Sequence, residues 1–154
     1  MGTIRNKIQL SMFFLGQRCY AFDVTRVEEI VKPMDLTPVP LAPQHVRGLI
    51  NLRGQVATAI GLRELFALQD KAVPVDQAFN MVCRVDGDLM AFQVDQIGDV
   101  IEVTLQDYEA VPATVPESTR KFLAAVIPLP KQLLSVIDLD KVSEVLNQSS
   151  GKAA

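Results

Sequence analysis

Residues 21–30 read Ala21-Phe22-Asp23-Val24-Thr25-Arg26-Val27-Glu28-Glu29-Ile30, and residues 91–100 read Ala91-Phe92-Gln93-Val94-Asp95-Gln96-Ile97-Gly98-Asp99-Val100. The two stretches align at a shift of 70, with apolar positions coinciding and Glu29 falling on Asp99. A second pair follows in the same order at a shift of 77. Leu49-Ile50-Asn51-Leu52 and Ala59-Ile60-Gly61-Leu62 align with Val126-Ile127-Pro128-Leu129 and Val136-Ile137-Asp138-Leu139. The change of shift is one insertion of seven residues, which a connector absorbs because closure entropy grows slowly with loop length. One such match arises by chance in strand-rich sequence; two in the same order mark an internal repeat. The chain of 154 residues is thus expected to hold two related halves, about 8–68 and 78–147, each too small to bury a comfortable core alone. The halves should pack on each other, leaving the seam between them as a natural groove.

Working outward, apolar residues mostly recur with a period of two, in short runs broken by Gly, Pro and Asp, the pattern of half-buried strands. The candidate strands are Leu10 to Leu15, Tyr20 to Val24, Val46 to Leu52, Val56 to Ile60, Met81 to Val85, Leu89 to Val94, Ile97 to Val103, Leu123 to Leu129 and Leu133 to Ile137. Hairpin turns are expected at Gly16-Gln17, Arg53-Gly54 and Asp86-Gly87-Asp88, each of which supplies a residue tolerant of positive φ. Six of the nine prolines fall in Pro33 to Pro43 and Val111 to Pro116, so these read as extended connectors. Lys71 to Gln77 is a polar connector between the halves. Apolar spacing of three and four predicts short helices near 61–67 and 138–147, with Asp138 as N-cap of the second. Residues 148–154 are small and polar, hence a frayed tail. An all-β fold follows.

Hydrophobic residues make up 49% and charged residues 21%, with a net charge of −3, a globular composition that lacks the basic face a nucleic-acid backbone requires. His45 is the single histidine, so zinc hydrolase and Ser-His-Asp chemistry have almost no basis. Cys19 and Cys83, 64 positions apart in apolar runs, read as reduced, semi-buried thiols. No run of about 18 apolar residues is present and the N-terminus lacks a signal-peptide core, which places the protein in the cytoplasm without membrane insertion. No phosphate-cradling glycine loop occurs. Asp86 and Asp88 read as solvated turn acids. A carboxylate set of Asp95, Asp99 and Glu102 is the one enzymatic alternative; alternation puts Glu102 on the opposite side of its strand from the other two, and no nucleophile accompanies them.

The stretch His45-Val46-Arg47-Gly48-Leu49-Ile50-Asn51-Leu52-Arg53-Gly54-Gln55-Val56 reads as strand, turn, strand, with Arg53 at an exposed hairpin tip. A guanidinium there offers five fixed donors to a carboxylate or a partner backbone. Val46 to Phe66, containing Arg-Gly-Leu-Ile-Asn-Leu-Arg-Gly and then Leu62-Arg63, resembles the CheW-like family of bacterial chemotaxis coupling proteins. So do Tyr20 to Val24 with Val27 to Ile30, Phe92 to Asp95 with Asp99-Val100, and Leu133 to Lys141. The resemblance spans about residues 8–147, in the family's order and spacing.

That resemblance implies two pseudo-repeated five-stranded SH3-like β-barrels packed around a hydrophobic seam. Subdomain 1 would cover about 8–68 and subdomain 2 about 78–132, with 133–147 packing across the halves. It implies no catalysis and no cofactor. Implied partners are the cytoplasmic tip of chemoreceptors, the regulatory domain of a CheA-type histidine kinase and other CheW-like domains in rings. Position by position, Val27, Glu29 and Ile30 match the family's receptor-binding edge, with Val100 across the groove and Phe79 and Met81 nearby. Arg53, with Asn51 and Gly54 of its turn, matches the arginine implicated in receptor and kinase coupling. The chain departs from the family pattern at Thr58 and Gly61, where Pro and Asp are common, while the second half keeps its acid at Asp138. A paralogous coupler of a non-flagellar chemosensory pathway is therefore the alternative reading.

Overall fold

A computed structural model describes residues 7–69 and 77–151, with side chains to 147. The ten strands are β1 (Lys7–Leu15), β2 (Arg18–Asp23), β3 (Val27–Val31), β4 (Val46–Leu52), β5 (Gln55–Gly61), β6 (Phe79–Val85), β7 (Asp88–Val94), β8 (Gln96–Thr104), β9 (Leu123–Pro128) and β10 (Leu133–Ile137). Helices α1 (Leu62–Leu65), α2 (Glu117–Arg120) and α3 (Leu139–Gly151) complete the described chain. All nine anticipated strands are present. The tenth, β3, lacks a clean alternation because a bulge between Val27 and Glu29 shifts its register against β6. Helix α3 continues to Gly151, past the expected end at 147. Residues 152–154, and all of the Lys71 to Gln77 connector except Gln77, lie outside the described residues. Among the described residues no helix is long and apolar enough to cross a membrane.

The strands form two five-stranded sheets, ordered β8-β1-β2-β10-β9 and β3-β6-β7-β5-β4. Advancing every strand of the second order by five positions, cyclically, gives the first, so the repeat is a structural one. The sheets do not follow the division at residues 68–78. Each combines the opening hairpin of one half with the last three strands of the other, so contiguous barrels over 8–68 and 78–132 are replaced by interleaved ones. The exchange occurs where the chain leaves β2 through a 3-10 turn at Val24–Arg26, and leaves β7 at Asp95, to enter the other sheet.

Three apolar clusters result. One lies within the first sheet around Leu10, Cys19, Ala21, Leu134 and Val136, and one within the second around Ile50, Ala57, Val82 and Ala91. The largest is the seam, where Phe13, Phe22, Met81 and Phe92 meet α1 and α3. Strand β2 serves two clusters at once: Cys19 and Ala21 face the sheet's own filling, while Tyr20 and Phe22 face the seam. Phe22 and Phe92, equivalent under the repeat, touch with ring centroids 5.2 Å apart, so the local two-fold passes between them. Rings continue from Phe22 through Phe13, Tyr20 and Phe66 to Phe122 at 5.0–5.8 Å, within the range for favourable aromatic packing.

Candidate functional site

The β4–β5 turn is built as its sequence demands. Arg53 (φ 52°) and Gly54 (φ 91°) both have positive φ, which matches the right-handed twist of the flanking strands. Asn51 Oδ1 accepts a hydrogen bond from the Gly54 amide at 2.9 Å, fixing the turn from within. The Arg53 side chain, 74% exposed, donates through Nη2 to both carboxylate oxygens of Glu29, at 2.9 Å to Oε2. This pairing raises the guanidinium's already high pKa through the hydrogen bond and the charge of Glu29, so Arg53 is a permanent cation.

Glu29 lies on β3, an edge strand, and its register partner is Val82. Beside it Glu28 accepts from Arg84 Nε at 2.7 Å. Ile30 stands 42% exposed on the same edge, and Val27 is half-buried against the seam. Strand β3 thus presents an apolar step flanked by two cross-strand ion pairs. Such an edge, with free backbone groups and a mixed apolar and charged margin, suits a protein ligand rather than a small molecule.

The structure brings Glu29 to Arg53 and its turn residues Asn51 and Gly54, whereas Val27 and Ile30 stand opposite Cys83 and Met81 and so lie on the other, seam-facing side of the same edge strand. Val100 is 57% exposed but lies on β8, the edge of the first sheet, at the position equivalent to Ile30. It is a counterpart of that site on the other sheet. Phe79 is half-buried against the seam. Met81 corrects the groove expectation: it has 0% exposure and belongs to the seam core. Alternation could not separate a seam-facing position from a groove-facing one.

Sequence reasoning missed Glu28 and Arg84, whose pairing depends on β3 lying beside β6. It also missed Val56, 61% exposed at the foot of the Arg53 turn; an apolar residue at an outward parity position was its signal. The carboxylate set does not assemble. Asp95 is buried in an ion pair with Arg63 (Nε to Oδ1, 3.2 Å) and accepts from the Gly16 amide at 2.6 Å, while Glu102 pairs with Lys7 at 3.3 Å. Asp86 is exposed in the β6–β7 turn, as expected of a turn acid, and in addition it accepts from the Ser143 hydroxyl, and from Asn147 Nδ2 at 3.0 Å, docking α3 on that turn. Burial pushes the Cys19 thiol up to about 11 and the Cys83 thiol up to about 12, leaving both protonated and unreactive. Among the described residues no three potential ligands cluster to hold a metal.

The departure at Gly61 has a local compensation. Glu64 Oε1 lies 2.1 Å from where a Gly61 Cβ would stand, and its other oxygen accepts from Arg47 Nη1 at 2.8 Å. The space a capping acid would take is filled by the Glu64 carboxylate, folded back from the third helical position to Arg47, and no side chain caps the first turn of α1.

Known proteins with this sequence pattern share the architecture. The family described as CheW-like domain matches residues 9–146. A chemotaxis protein CheW of Treponema pallidum is 28% identical over 145 residues, covering 92% of this chain and 85% of its own length. One from Bacillus subtilis is 28% identical over 153 residues, covering 99% and 96%. The crystal structure of the scaffolding protein TtCheW from Thermoanaerobacter tengcongensis superposes with a TM-score of 0.77 at 22% identity, over 90% of this chain and 87% of that one.

Proposed function

Because the chain belongs to the CheW-like domain family, we propose that it is a non-catalytic adaptor, joining the cytoplasmic tip of chemoreceptors to the regulatory domain of a CheA-type histidine kinase. The relatives named chemotaxis protein CheW support the chemotaxis setting. The observation that carries the reading is the β3 edge, where Val27 and Ile30 form an apolar step and the Glu29–Arg53 pair marks its margin. An amphipathic helix can lay an apolar stripe on that step while Arg53 fixes its register. Function then follows from bivalency: holding two partners at once raises their effective concentration without any chemical step. The adaptor works in the cytoplasm, recruited to membrane-associated receptor arrays, where other CheW-like domains are further neighbours in rings.

The departure at Gly61, with its Arg47–Glu64 compensation, favours a second reading. In it the chain is a paralogous coupler serving type IV pili, surface sensing or cyclic-di-GMP control. Both readings are tested by titrating the purified chain with receptor hairpin fragments and kinase regulatory domains encoded by each chemosensory cluster of its own genome. Binding to the flagellar cluster's pair supports the first reading, and binding to another cluster's pair the second. Failure to bind any pair overturns both.

A further inference from the structure

Strand β3 is a weak edge that carries an important residue. Its register with β6 consists of Val27, Glu29, Ile30 and Val31, with a bulge among them, yet Glu29 on it holds the Arg53 guanidinium. An edge with so few ladder bonds opens readily unless something else fastens it. The internal repeat shows what fastens its counterpart. At the shift of 70, Val31 falls on Ile101 of β8 and Asn80 on Leu10 of β1. The registers agree, Val31 standing opposite Asn80 and Ile101 opposite Leu10. Strand β8 then runs on beside β1, with Glu102 opposite Gln9, Val103 opposite Ile8 and Thr104 opposite Lys7. Strand β3 ends at Val31. Pro33 stands where Val103 does and has no amide to give to a ladder. The chain turns away there and lays Met34 and Leu36 on the second sheet's filling.

Asn80 takes the place of the missing ladder. Its Nδ2 donates to the Lys32 carbonyl at 3.4 Å, one residue past the end of β3. Lys32 is exposed, so water would serve its carbonyl equally well. Asn80 itself is 1% exposed, on the face of β6 that also carries Val82 into the filling. Among the described residues no group donates to its Oδ1. A buried acceptor left in this way destabilises by more than one bond to an exposed carbonyl contributes. Leucine fills the equivalent place in the other half, fully buried as Leu10, and folding alone would favour it here too.

We infer that Asn80 is a positioning residue for the β3 docking edge. By holding the Lys32 carbonyl it fixes where β3 leaves the sheet, and so where Glu29, and through Glu29 the Arg53 guanidinium, stand before a partner. The inference rests on the adaptor reading, to which it adds a buried residue that touches no partner.

Two substitutions test it, because both remove the bond and they move stability in opposite directions. Asn80→Leu fills the site and holds or raises the thermal midpoint, whereas Asn80→Ser leaves a hole and lowers it. In both free variants amide exchange on β3 and at Lys32, relative to that on β5 and β7, quickens about threefold or more, the effect of one lost hydrogen bond. Both variants weaken binding of the receptor hairpin fragment or kinase regulatory domain that the parent binds, and by similar factors, so affinity follows the exchange on β3 and not the midpoint. In an Arg53→Glu background either substitution adds little further loss, because Asn80 acts through that guanidinium. Unchanged exchange on β3 in Asn80→Leu, affinity that tracks the midpoint, or a fully additive loss beside Arg53→Glu would each overturn the inference and leave the adaptor reading standing. A parent chain that binds neither partner overturns that reading and the inference with it.

Discussion

Arg53, at the tip of the β4–β5 hairpin, reaches Glu29 on β3, and the two residues come from opposite edges of one five-stranded sheet. The sheet is closed from a second direction by Thr37 and Leu49, which exchange backbone hydrogen bonds of 2.9 and 2.8 Å and bring the β3–β4 connector onto β4. Between these closures Ile50, Leu52, Ala57, Val82 and Ala91 fill the interior. The ion pair is exposed and contributes little to folding. Its consequence is positional: it fixes the guanidinium over the β3 edge.

Arg53→Glu should therefore separate binding from folding. Reversal sets a carboxylate against Glu29, repels the pair and removes the cation from the edge, while no buried group loses a partner. Affinity for the receptor fragment or the kinase domain is expected to fall at least about fivefold, as for an interface arginine of more than marginal importance. The thermal midpoint should stay within a few degrees of the parent. Titration calorimetry and a melting curve on the same preparation check both halves of the expectation.

Phe92→Ala probes the seam. The ring is fully buried and packs on Phe22 across the local two-fold, and truncating such a residue typically costs about 3–5 kcal/mol. Because each sheet contains strands from both halves, the loss should shift one cooperative urea transition rather than split it. Far-ultraviolet dichroism and tyrosine fluorescence, the latter reporting Tyr20 in the seam and Tyr108 beside the first sheet, should give coincident midpoints. Separate transitions would mean that the sheets fold independently.

Much of this architecture was legible because it is encoded locally. Gly16, Arg53-Gly54 and Asp86-Gly87 take the positive φ values their turns require, and the repeated Ala-Phe segments announced the two-fold that Phe22 and Phe92 occupy. Exchange of the opening hairpins was not legible. Period-two alternation tells which face a residue lies on and says nothing about which strand lies beside it. Strand β3 was lost for a related reason, since its bulge breaks the alternation. Arg53 could be placed from its turn alone, whereas its partner Glu29, 24 positions away, depends on how the sheet closes.

Acid should loosen α3 through Asp86. Hydrogen bonds from Ser143 and Asn147, named in order of effect, hold this carboxyl below its ordinary 3.8. A depressed folded-state pKa stabilises the protein fully above the unfolded value and ceases to do so as the pH drops through the folded value. The stability difference between the parent and Asp86→Asn should thus be constant from pH 7 down to about 5, then shrink below pH 4 as the parent's carboxyl becomes protonated. Urea midpoints measured across that range check the sign; a difference that grows on acidification would contradict the assignment.

Gly61→Asp addresses the compensation at α1. Aspartate is a good N-cap, but replacing glycine at that position gains only about a few tenths of a kcal/mol. The new side chain would collide with Glu64 Oε1, which occupies the Cβ position, and would turn Glu64 away from Arg47. The single substitution is therefore expected to be neutral or slightly destabilising. In a Glu64→Ala background the collision is absent and Arg47 has lost its carboxylate, so Gly61→Asp should stabilise by about 0.5–1 kcal/mol, a capping gain supplemented by the new acid's attraction for Arg47. A double-mutant cycle in urea reads the coupling directly. Additivity of the two substitutions would show that Glu64 does not hold the space that a side chain at position 61 needs.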